Sequence, residues 1–207
     1  MKRFLGNGKN FNLLIFPFLA LAFFILIALS NQHVFRNDKA VMYTYIKSAR
    51  QGRIGYGFNS YYGNDISFAG LEPGDLILGA YPGCAYGRFS HAGIYLGKGK
   101  IMESYGDLGV NVQSISHYRE YSEVCLLRVK ADPAVKKRAV DYVSKRQGAM
   151  FYPLAFKNGE RYWNCTKIMW KAYFEQGLDF DPENDFWVAP DLFYKSDLVE
   201  VIREKRV

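Results

Sequence analysis

Hydrophobic and polar positions follow two different regimes along the chain. Every residue from Leu13 to Leu29 is apolar or Pro, and Phe11 extends the stretch to 19 positions with one polar interruption at Asn12. A helix of that length rises about 28 Å at about 1.5 Å per residue, the thickness of a bilayer's hydrocarbon core. The run is apolar on every face, whereas a core helix of a small domain keeps one polar face. The pattern therefore predicts an N-terminal transmembrane helix. It is either retained as an anchor or removed as a signal segment after Ser30, where Ala28-Leu29-Ser30 offers small residues. Lys2, Arg3 and Lys9 favour a cytoplasmic N-terminus and an outward-facing domain, an asymmetry that Arg36 and Lys39 reduce.

Beyond residue 30 the apolar residues become periodic. Asp38 to Ala49 reads as a short helix capped by Asp38. A connector rich in Gly and Tyr follows, with Gly52, Gly55, Gly57, Asn59, Ser60, Gly63 and Asn64. Glu72-Pro73-Gly74-Asp75 is a turn feeding a strand over Leu76 to Leu78. After a glycine-rich loop from Pro82 to Gly87, His91 to Leu96 reads as a strand. Gly97-Lys98-Gly99 is then a hairpin loop and Lys100 to Ser104 its partner. Val110 to Gln113 and Val124 to Val129 complete the strand block. Asp132-Pro133 is a helix start, with Val135, Ala139, Val140 and Val143 on one face and Gly148 as the stop. A second helix is expected from Cys165 to about Gln176, capped by Asn164 and ended by Gly177. Strands in one block and helices in another indicate an α+β fold, an antiparallel sheet or small barrel packed on helices. The chain divides into a membrane or signal segment (1–30), a linker with a short helix (31–69) and a domain (70–207).

Composition narrows the partners. With 207 residues, 49% hydrophobic and 17% aromatic, the chain is too apolar for disorder and long enough for one buried core. Three of its 27 bases precede the apolar run, so 24 bases face 20 acids in the remainder, an ordinary surface. The basic runs Lys136-Lys137-Arg138 and Arg203-Glu204-Lys205-Arg206 read as solvated helix faces. No nucleic acid partner is expected.

Three cysteines leave at least one thiol unpaired even in an oxidising compartment. Cys125 sits in an apolar strand, where a small buried hydrophobe is the default. Cys84 lies in a glycine-rich loop with no helix behind it. Cys165 opens a helix, where the dipole and the unpaired N–H groups favour a thiolate and can bind an oxyanion. Of three histidines, His33 adjoins the membrane segment and His117 reads as a polar residue of the surface segment His117-Tyr118-Arg119-Glu120. His91 starts a hairpin centred on Lys98, so positions summing to about 196 pair. His91 then faces residue 105 and lies diagonally near Glu103, within about 5–8 Å. Cys as nucleophile, His as base and a carboxylate as orienter make an acyl-transfer set. No metal-ligand spacing occurs and no cofactor is expected; Gly6 and Gly8 lack the context of a phosphate loop.

The residues Pro73-Gly74-Asp75-Leu76-Ile77-Leu78, Ser90-His91-Ala92-Gly93-Ile94-Tyr95-Leu96-Gly97, Met102-Glu103-Ser104, Asn164-Cys165-Thr166-Lys167 and Ala189-Pro190-Asp191-Leu192 together resemble a known family. It is the circularly permuted branch of NlpC-type papain-like cysteine hydrolases, typified by YiiX and YebB and related to the lecithin:retinol acyltransferase group. The resemblance covers residues 70 to 200. It implies a permuted papain-like fold with Cys165 as nucleophile, His91 as base and Glu103 as its orienter. The expected reaction is cleavage of an amide bond, in cell-wall peptide; the alternative is a lipid acyl hydrolase or acyltransferase that uses the same triad on lipid esters or amides. Tyr152 and Asn164 are added as oxyanion or substrate contacts. The chain departs from the family at Tyr152-Pro153, where the family has Tyr-Asp, and at Thr166-Lys167, where it has Ser-Glu. That departure keeps open a non-catalytic binding module.

Overall fold

The structure, a computed structural model, describes residues 8–30, 32, 37, 40–181 and 184–207, with side chains from residue 15 onward. In chain order the strands are β1 (Leu76–Ala80), β2 (His91–Gly97), β3 (Lys100–Tyr105), β4 (Gly109–Ser114), β5 (Glu123–Val129), β6 (Met150–Phe151), β7 (Tyr162–Trp163) and β8 (Val199–Arg206). The helices are α1 (Gly8–Ser30), α2 (Val41–Ala49), α3 (Pro133–Ser144), α4 (Cys165–Phe174) and α5 (Asp191–Lys195). Six strands form one antiparallel sheet in the order β4-β3-β2-β1-β5-β8, while β6 and β7 make a short parallel pair. The fold is α+β as expected. The sheet is open between β4 and β8, so the barrel alternative is not formed.

Side chains alternate across β1, which is buried along its whole length. Leu76 and Leu78 join Ala92, Ile94, Cys125 and Leu127 under α3 and α4, whose Ala139, Val143, Ile168 and Ala172 seal that face. Ile77 points the other way, to Ile101, Tyr118, Tyr121, Val124 and Leu126. This second face is covered by a 3-10 segment, Ile115–Glu120, and by the chain around Asn64 and Ile66, both buried. Gly79 is a packing requirement, since a Cβ there would stand 2.6 Å from the Tyr121 ring. The β2–β3 hairpin turns through Lys98 and Gly99, with φ of 53° and 70°, the two positive values that a tight two-residue turn demands.

The Pro73-Gly74-Asp75 motif serves the core. Asp75 is fully buried and accepts from Glu72 N–H (2.8 Å), Arg128 Nε (3.0 Å) and Lys136 Nζ (3.0 Å). Gly74 lets the turn approach α3, because a Cβ would fall 2.7 Å from that of Lys136. Two readings of basic runs are corrected. Lys136 is buried on this carboxylate rather than solvated. Arg203 to Arg206 lie in β8, an edge strand paired with β5, where their charges blunt an exposed edge. Asp132 makes no capping bond to α3, although Pro133 occupies its first turn. Asp38, expected to cap α2, and His33 lie outside the described residues.

In α1 the described side chains, from Ile15 on, are mostly exposed and apolar. Among the described residues no helix is long and apolar enough to cross a membrane. The transmembrane reading of this segment rests on the sequence alone.

Candidate active site

His91 is delivered by a firmly held entry to β2. Just ahead of it, the Asp191 carboxylate accepts from the N–H groups of Arg88 (2.9 Å) and Phe89 (2.8 Å). Ser90 N–H bonds Gly79 O, and its hydroxyl accepts from Tyr81 N–H, each at 2.8 Å. The Pro-Asp-Leu element is thus a brace for the histidine loop. Gly87 leaves it room, since a Cβ would meet that carboxylate at 2.6 Å.

The β2–β3 register, Ile94 opposite Met102 and Tyr95 opposite Ile101, follows the sum of 196. Carried to the start of β2, it sets His91 against Tyr105, whose ring lies 5.1 Å away, and diagonal to Glu103. His91 Nε2 lies 2.8 Å from Glu103 Oε2, with Glu103 only 1% exposed. The Tyr121 ring stacks parallel to the imidazole at 6.0 Å, and Tyr118 packs at 6.2 Å. Burial in this cage opposes a charged ring. The Cys165 thiol and the Glu103 carboxylate outweigh it and lift the His91 pKa to about 10.

Cys165 is the first residue of α4. Asn164 Oδ1 accepts from Lys167 N–H at 2.8 Å, capping the helix as expected. That cap leaves the Cys165 and Thr166 N–H groups as the outermost donors of the helix. The thiol is free and partly exposed, and it lines the same cavity as the His91 ring. Because Glu103 holds Nε2, Nδ1 is the ring nitrogen left for sulfur. The structure therefore brings Cys165, His91 and Glu103 together.

A cavity of about 380 Å³ opens onto this group. Tyr45, Tyr56, Tyr86, Phe151, Leu154 and Trp187 supply much of its wall, and among the described residues no Asp, Glu, Lys or Arg lines it. Tyr152, read as an oxyanion or substrate contact, is not among the lining residues. Its half-exposed ring packs on Tyr162 at 5.8 Å. Asn164 lines the cavity but has no free donor. Its Nδ2 bonds Pro153 O (3.1 Å) and Ala155 O (3.3 Å), tying the 153–155 loop to α4. Of the two residues that replace Ser-Glu, Thr166 faces the cavity and donates to Val188 O at 2.6 Å. Lys167 turns away and donates to Tyr162 O at 3.0 Å. Its ammonium pKa is lowered by burial.

Cys84, the rival thiol, is buried and unpaired, and burial pushes its pKa up. Cys125 is likewise unpaired in β5, pushed up to about 12. His117, expected as a polar residue of a surface segment, is instead drawn in by the 3-10 segment, its Nε2 3.7 Å from Glu103 Oε1. No local pattern marks it, because the contact depends on how the chain returns after β4.

Among the described residues no group of three or more His, Cys, Asp or Glu side chains is arranged to hold a metal ion. Residues 27–129 match the NlpC/P60 family. The matched stretch includes His91 and Glu103 and ends before Cys165. The crystal structure of the metalloprotein yiiX from Escherichia coli O157:H7 (DUF1105) is similar in fold, with a TM-score of 0.55 and 12% identity, over 66% of this chain and 98% of that one. No curated protein matches the chain.

Proposed function

We propose that the chain is a cysteine hydrolase of amide bonds, with Cys165 as nucleophile, His91 as base and acid, and Glu103 as orienter; the NlpC/P60 match over residues 27–129 and the fold shared with yiiX support this reading. The observation that carries this reading is that Cys165, at the start of α4, and His91 line one cavity, with the buried Glu103 carboxylate 2.8 Å from the imidazole. The thiolate attacks the carbonyl carbon, and oxyanion charge develops toward the Cys165 and Thr166 N–H groups at the positive end of the helix. The C–N bond then breaks as the His91 imidazolium protonates the leaving nitrogen. Water next attacks the thioester, giving its proton to His91; the C–S bond breaks and the thiolate returns. Glu103 keeps Nε2 occupied so that Nδ1 faces sulfur throughout.

The wall of the cavity favours an apolar acyl group over the charged side chains of cell-wall peptide. The lipid-amide variant of the reaction is therefore preferred. An anchored α1, with the domain on the outer side of the membrane, would bring such substrates close; the apolar run Leu13 to Leu29 and the basic residues before it support this.

A decyl chloroacetamide, which presents an apolar chain beside an electrophilic amide, tests the site. Cys165→Ala is expected to abolish labelling while leaving the circular dichroism spectrum unchanged. A charged peptide chloroacetamide should label the wild type more slowly. Undiminished labelling of Cys165→Ala overturns the assignment. A wild-type Cys165 that alkylates no faster than an ordinary thiol across neutral pH favours the non-catalytic binding module.

A further inference from the structure

The Glu103 carboxylate is nearly inaccessible, yet only one of its oxygens is engaged. Oε2 holds His91, while Oε1 faces Nε2 of His117 across 3.7 Å. On its other side His117 presents Nδ1 to Glu120 Oε2 at 3.6 Å, and Glu120 is partly exposed. Nε2 of His117 is buried without a hydrogen-bond partner, as are the hydroxyls of Tyr81 and Tyr121. These three orphans adjoin one another, the Tyr121 ring lying 5.6 Å from His117 and 4.5 Å from Tyr81. An unpartnered buried polar atom costs about 1–3 kcal/mol, so three in one place behind His91 call for a physical reason.

We infer that His117 is a positioning residue for the cysteine hydrolase chemistry, closing onto Glu103 Oε1 to hold the carboxylate between two imidazoles. The inference rests on the reading of Cys165 and His91 given above. A gap of 3.7 Å exceeds a hydrogen bond by less than 1 Å, and catalytic hydrogen bonds are often long before substrate arrives. His117 does not line the cavity and touches no reacting atom, so its action passes through Glu103. The groups facing it are Glu103 and Tyr105 from β3, His91 from β2, Tyr118 and Glu120 from its own segment, and Tyr121 beyond it.

The direction of the effect follows from distance. Donation from His117 stabilises the anionic carboxylate at close range, and that carboxylate supports the His91 imidazolium. Repulsion between the two imidazoles acts across 6.4 Å between ring centroids and is the weaker influence. Loss of His117 therefore weakens the thiolate–imidazolium pair.

The test is the rate of Cys165 alkylation by iodoacetamide against pH in the full chain, with Cys165→Ala as the blank. His117→Phe is expected to raise the midpoint of the acid limb by about one pH unit, an approximately tenfold lower rate on that limb. His117→Gln sets an amide donor near the position of Nε2 and is expected to return the profile to within about threefold of wild type. His117→Asn sets its amide near Nδ1, facing Glu120, and should behave like Phe; it also replaces the Phe variant if that one does not fold. A midpoint that stays in place or falls in folded His117→Phe or His117→Asn, beside a reactive wild-type Cys165, overturns the positioning role. An inert wild-type Cys165 removes the hydrolase reading and this inference with it, and the two failures are told apart by the wild-type profile alone.

Discussion

At the residue scale the decisive balance is on His91, where burial among tyrosines opposes a charge that its thiol and carboxylate neighbours favour. The neighbours win, so the ring stays protonated through neutral pH, and this couples the site to stability. A histidine whose folded pKa lies above its unfolded value of about 6.5 adds stability below pH 6.5, and the contribution fades as pH climbs toward 10. Thermal unfolding from pH 6 to 10 should therefore show wild type losing stability across that window. Glu103→Gln, which keeps the shape and removes the charge, should be on the order of 3 kcal/mol less stable at pH 6, with the difference shrinking as pH climbs toward 10. A wild-type profile that is flat from pH 6 to 10 excludes the coupling. The same balance explains why Cys84 and Cys125 are poor rivals: burial without a cationic neighbour of this kind raises a thiol's pKa and makes it inert.

At the element scale the site is a meeting of the β2–β3 hairpin with the first turn of α4. Both features are written locally. The Lys98–Gly99 turn fixes which residues oppose each other, and the Asn164 amide fixes where α4 begins, so the His91–Glu103 pair and the place of Cys165 could be read from spacing. What spacing does not contain is side-chain direction and the return path of loops. Tyr152 follows β6 and turns outward to Tyr162, His117 comes back to Glu103 only after β4, and β8 carries too many charges to announce a strand. Asn164 shows the difference within one residue, since its position marks a cap while its Nδ2 bonds to Pro153 and Ala155 depend on a distant loop. Asn164→Ala removes the cap and strands two carbonyls, so it should cost about 2–4 kcal/mol by urea denaturation and slow Cys165 alkylation. Asn164→Asp keeps the cap without the donors and should fall between the two. An Asn164→Ala chain within about 0.5 kcal/mol of wild type would mean that the loop is held elsewhere.

At the scale of the whole molecule, one sheet separates two apolar layers, and the site sits where the strand ends of the sheet meet α4. The helical layer supplies the nucleophile, while the opposite layer of Tyr81, Tyr118 and Tyr121 shapes the surroundings of the base. In α1 the side chains of Phe16, Phe18, Phe24 and Leu26 are each more than 60% exposed. The proposed function assigns this segment to a bilayer on the sequence of its apolar run, Leu13 to Leu29. Paired acidic substitutions in the full chain, Leu21→Asp with Ile25→Asp, test that assignment. An Asp near the centre of a spanning helix costs about 2.5–3.5 kcal/mol, so two of them should move the chain from the vesicle pellet to the supernatant in sedimentation with phosphatidylcholine vesicles. The alkylation rate of Cys165 should be unchanged, because these side chains lie outside the cavity wall. Equal partitioning of the variant and the wild type would remove the anchor. Wild-type protein recovered from its host already cleaved after Ser30 would instead support the signal-segment alternative.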